Sequence, residues 1–104
     1  MKNMQQIINK RLEEMREGSK QRAKTYELIG AKDLRLKELE RIEIIEDIIY
    51  KASFMEILDL THYINDKQIT IIQYEKNEER AFEKMFIYEM IGITISNIIL
   101  TYNW

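Results

Sequence analysis

The chain has no cysteine, no proline and only three glycines among its 104 residues. Without thiols there are no disulfides, no thiolate metal sites and no cysteine nucleophile. With proline absent and Gly18, Gly30 and Gly92 isolated from one another, few residues punctuate loops or tight turns, and long helices fit best. The isolated glycines also exclude a phosphate-cradling loop, a dinucleotide fingerprint and a nucleophile elbow. Histidine occurs once, at His62, so a hydroxyl nucleophile has one candidate base and no supporting pattern around it. The first ten residues lack the apolar run of a signal peptide, because Gln5, Gln6, Asn9 and Lys10 interrupt it; the expected location is cytoplasmic.

What is present is enough to fold. Hydrophobic residues make up 45% of the chain and charged residues 33%, too apolar for disorder and long enough for one domain, not two. The net charge of −2 is unevenly spread: residues 1–37 hold ten Lys or Arg against five Asp or Glu, whereas residues 38–80 hold five against eleven. A basic first third and an acidic middle fit either an acidic partner for the basic part or mutual attraction within a bundle or dimer, and the second is the simpler reading.

Residues 3–29 read as a helix with Met4, Ile8, Leu12, Met15, Ser19, Ala23 and Tyr26 on one stripe, ended by Gly30 as a C-cap. Asp33 is placed to cap a second helix whose apolar face comprises Leu34, Ile42, Ile45, Ile48, Ile49 and Ala52, with Glu40, Glu43 and Asp47 opposite. Ser53 and Glu56 have capping-box spacing, which predicts a kink or restart unless Ser53 lies inside one continuous helix. Asn65-Asp66 reads as a turn, and residues 68–74 are β-branched and aromatic enough for a short strand, with an extra helical turn as the alternative. Asn77 with Glu78 and Glu79 signals the start of a last helix.

Residues 85–104 hold one charge, Glu89, and are apolar almost all round the helical circumference. Such a helix has to be surrounded. Glu89, Asn97, Gly92, Ser96 and Thr94 weigh against a membrane span, and a second chain is the simplest cover, with Phe82, Phe86, Ile91, Ile95, Ile98, Tyr102 and Trp104 as the expected oligomer interface. Glu89 is then expected to be paired, hydrogen-bonded or protonated, unless it stays in water.

Candidate chemistry is sparse. Asp59, His62 and Asp66 have helical spacing that would put them on one face, a pattern that chance supplies often; no metal or cofactor is expected from it. The pair Glu43-Ile44-Ile45-Glu46 and Glu56-Ile57-Leu58-Asp59 resembles the acidic pair of the all-helical MazG-type nucleotide pyrophosphatases. That resemblance implies magnesium held by four acids on two facing helices. On one continuous helix Glu43 and Asp59 would stand more than about 20 Å apart, so a shared metal requires the chain to reverse between them. For nucleic acid the candidate element is the first helix, with Arg11, Arg16, Lys20, Arg22 and Lys24, but these are spread around the wheel among acids.

These features predict a single, predominantly α domain over residues 1–104, a small helical bundle with a long N-terminal helix. Its parts are a basic helix over 1–30, an amphipathic or kinked helix over 31–65, and a turn or short strand leading to an apolar C-terminal helix over 66–104. The expected role is non-enzymatic: a protein-interaction module, homodimeric, of the kind that phages and plasmids use to regulate or inhibit a larger machine. The same five basic residues are the expected partner contacts. A nucleic-acid-binding regulator is the alternative and a magnesium-dependent nucleotide pyrophosphatase the second alternative.

Overall fold

The computed structural model describes residues 3–102, which form four helices and no strand: α1 Met4–Leu28, α2 Lys32–Ala52, α3 Ile57–Tyr74 and α4 Glu78–Tyr102. Packing is closest between α1 and α2 and between α3 and α4, so the chain is two helical hairpins laid together, with α4 touching all three other helices. The core draws on every helix, through Ile8 and Leu12, Ile44, Ile45 and Ile48, Leu60 and Ile64, and Ile87, Ile91 and Ile95.

The first helix follows its stripe. Ile8, Leu12, Ser19 and Ala23 are buried, and Met4 and Met15 pack against the core. Its start is held by a capping box, in which the Asn3 side chain accepts from the Gln6 N–H at 2.8 Å and the Asn3 N–H donates to Gln6 Oε1 at 3.2 Å. Ile29 is the C-cap and Gly30 follows it with φ +75°. The Gly30 N–H donates to the Glu27 carbonyl and the Ala31 N–H to Tyr26, the paired bonds of a Schellman turn. This turn, and not an Asp33 cap, starts α2: Ala31 is its N-cap and Asp33 lies in the first turn.

Around residue 53 the chain does restart, by a different device. Ser53 closes α2, its Oγ donating to the Tyr50 carbonyl at 2.6 Å, and Glu56 becomes the N-cap of α3 with no side-chain bond. Residues 68–74 are helical throughout, and Asn65 and Asp66 sit mid-helix. Ile64 and Ile71 are drawn onto the core at helical spacing, Asn65 and Asp66 face water, and the Thr70 hydroxyl donates to the Asp66 carbonyl at 2.9 Å. Ile71, one heptad after Ile64, packs on the core while Ile69 and Ile72 stay exposed, so the helical spacing of the buried residues, and not burial of the whole β-branched run, overrides the local strand and turn preferences. Asn77 caps α4 as expected, accepting from the Arg80 N–H at 3.1 Å.

In α2, Leu34 is exposed while Glu38 is buried at 6% exposure. Glu38 Oε1 accepts from Arg22 Nε of α1 at 2.9 Å and from Arg41 at 3.4 Å, and Arg22 also donates to the buried Ser19 hydroxyl. Thus a half-exposed Arg22 of the basic first helix covers a buried acid of the second, and Arg35 of α2 with Glu27 of α1 at 4.0 Å is a further ion pair between them.

Candidate interaction surface

The helix α4 spends its strongest apolar residues on two faces. Ile87, Tyr88, Ile91 and Ile95 point into the bundle and are buried. On the far side Phe82, Phe86, Ile93 and Leu100, at steps of four, seven and seven, form an exposed stripe, and Glu89 is the acid within it. The Gly92 edge of α4 lies against α3, where a Cβ would come 3.5 Å from Ile64 Cγ2. On α3, Leu58, Ile69 and Ile72, at steps of eleven and three, share one helical face and are exposed as well. All seven side chains of this outer face are more than half exposed, from 51% at Phe86 to 71% at Phe82. At roughly 100 Å² each they amount to about 700 Å² of exposed apolar surface on these two helices.

Of the expected interface residues, the structure exposes Phe82, Phe86 and Tyr102 and leaves Ile98 packed at the margin of the core. It removes Ile91 and Ile95, which are 0% exposed and belong to the single chain's own core. Trp104 lies outside the described residues. Glu89 is exposed, so the alternative that leaves it in water is the one observed. Sequence reasoning missed Leu58, Ile69, Ile72, Ile93 and Leu100. The heptad-like spacing of 86, 93 and 100 was the signal available for the last two.

The basic residues of α1 do not assemble into one surface. Arg11 pairs with Glu14 at 3.6 Å, Lys20 with Glu17 at 3.8 Å, and Arg22 with Glu38. Arg16 is half-buried with Nε shielded from water and without a hydrogen-bond partner, and Lys24 is exposed. The four acids of the pyrophosphatase-like pattern, Glu43, Glu46, Glu56 and Asp59, are all exposed. Asp59, His62 and Asp66 are exposed too, and among the described residues no three His, Asp or Glu side chains are grouped as a metal site.

A second feature is a cleft of about 810 Å³ between α2 and the loop end of the α3–α4 hairpin. Four cations (Lys37, Lys67, Arg80, Lys84) face four acids (Glu40, Glu43, Asp47, Glu83) across it. Lys37 pairs with Glu83 at 3.2 Å and Arg80 with Glu40 at 3.7 Å, which leaves little net field for a charged ligand. Along one wall the Asp47 carboxylate accepts from the Tyr63 hydroxyl at 2.7 Å and the Tyr88 hydroxyl at 3.1 Å. Burial first, and Asp47 second, hold both phenols well above their ordinary pKa of 10.0. Phenols kept protonated in this way act as fixed donors tying α2, α3 and α4 together.

By length and composition α4 is also able to cross a membrane, and 22% of that stretch is buried here. No protein-family model, no curated protein and no solved structure matches the chain, and the outer face of α3 and α4 is the feature from which a role is read.

Proposed function

We propose that the chain is a non-enzymatic helical interaction module, a homodimeric regulator or inhibitor that works by laying the outer face of α3 and α4 against protein. The observation that carries this reading is the exposed stripe Phe82, Phe86, Ile93 and Leu100 on α4, with Leu58, Ile69 and Ile72 exposed on its hairpin partner α3. Leaving seven large apolar side chains in water forgoes burial worth about 1.5–3 kcal/mol for each one fully covered, and a partner recovers it. A regulatory role follows by analogy with small helical proteins that act by occupying a surface of a larger machine. The nucleic-acid alternative has less support, because Arg11, Lys20 and Arg22 already engage acids.

Sedimentation velocity on the wild type and on Ile93→Lys, at several concentrations and two salt strengths, tests this reading. The expected result is concentration-dependent association that salt does not weaken and that the lysine abolishes, with the helical circular dichroism signal unchanged. A wild type that stays at the mass of one chain throughout would sink it.

A further inference from the structure

Granting that the outer face is a docking surface, we infer that its occupant is a second copy of this chain, with the two α4 helices antiparallel and Ile93 on the two-fold axis.

The area fits such a pairing. About 700 Å² of apolar surface per chain is close to the roughly 800 Å² per partner of a stable protein interface. The stripe is also self-complementary. With Ile93 facing the partner's Ile93, reversal of direction places Phe86 opposite the partner's Leu100, so a large ring meets a smaller branched side chain on both sides of the axis.

Glu89 decides the direction and the register. In a parallel pair it would face the partner's Glu89 across the axis, two carboxylates in a partly dry seam, and the acids Glu78 and Glu79 would be brought together at one end. An antiparallel pair centred between residues 89 and 93 would press each carboxylate against the partner's Ile93 and leave it unsatisfied. Centred on Ile93, Glu89 meets the partner's Asn97, which is exposed and whose amide donates to a carboxylate. This register alone of the three covers the stripe while giving its one acid a donor.

The rim argues against a lipid occupant. Asp59, Asp66, Glu78, Glu79 and Glu89 are all exposed on α3 and α4, and an anionic bilayer surface repels such an acidic border.

The absence of native cysteine makes the geometry directly testable. Single variants Ile93→Cys, Phe86→Cys and Leu100→Cys are oxidised in the full-length chain and run without reductant. Packed helices whose axes are 8–10 Å apart bring facing Cα atoms within disulfide reach, whereas Phe86 and the partner's Phe86 would be about 21 Å apart along the axis. The expected pattern is a covalent dimer from Ile93→Cys alone, none from Phe86→Cys or Leu100→Cys alone, and a dimer when those last two are mixed. Covalent dimers from all three variants alone would overturn the antiparallel arrangement while leaving the docking surface in place. No cross-link from any of them, with the wild type at single-chain mass and floating with phosphatidylcholine vesicles, would overturn the second copy in favour of lipid.

Discussion

At the residue scale, Asp47, Tyr63 and Tyr88 show how a polar group earns a place beside a core. Asp47 stands opposite the apolar stripe by helical periodicity, yet in the fold it receives two phenol hydroxyls from α3 and α4. Periodicity along α2 could not reveal donors that arrive from residues 16 and 41 positions away. Buried Glu38 was illegible for a related reason, since of the two guanidiniums that neutralise it the nearer, Arg22, comes from another helix and only Arg41 lies on its own. The phenols carry a pH dependence whose sign follows from linkage. Both are held above their ordinary pKa in the folded chain, so the unfolded chain gives up protons that the folded chain keeps. Their contribution is complete below about pH 10 and is lost as pH rises above it. The melting temperature should therefore fall above pH 10, and less steeply in Tyr63→Phe/Tyr88→Phe; equal alkaline slopes in the two proteins would contradict this assignment.

At the element scale, legibility tracked the clarity of the hydrophobic period. The α1 stripe could be read directly because it carries one apolar face, and Asn77 because an N-cap is a local device. By contrast, α4 is apolar around most of its circumference, so no polar face tells which side meets the core; Ile91 and Ile95 were assigned outward and are inward. Residues 68–74 misled in the opposite way, through a β-branched run of which only Ile71 meets the core, on the helical stripe already set by Leu60 and Ile64. The two end devices give measurable consequences. Gly30 adopts a φ that side chains resist, with open space around its Cβ position, so Gly30→Ala should cost about 1–2 kcal/mol through the backbone alone. Asn77→Ala should cost about 1 kcal/mol by leaving the Arg80 N–H without its acceptor. Urea unfolding checks both, as a lowered midpoint with an unchanged slope.

At the scale of the whole molecule, the helical bundle was legible because composition left few alternatives: no proline, scarce glycine and long apolar periods. Which surface remains uncovered was not, because it depends on how two hairpins divide the apolar residues between their shared core and the outside. A chain of 104 residues has a limited interior, and this one fills it with Ile48, Ile64, Ile91 and Ile95 while leaving an apolar outer face on α3 and α4. If a second copy covers that face, folding and association are one equilibrium, and stability depends on protein concentration. Thermal unfolding across a hundredfold range of concentration, for the wild type and Ile93→Lys, tests this most directly. The wild-type melting temperature should rise by a few degrees for each tenfold increase, while that of the variant stays flat; two flat and coincident curves would show that the single chain is already complete.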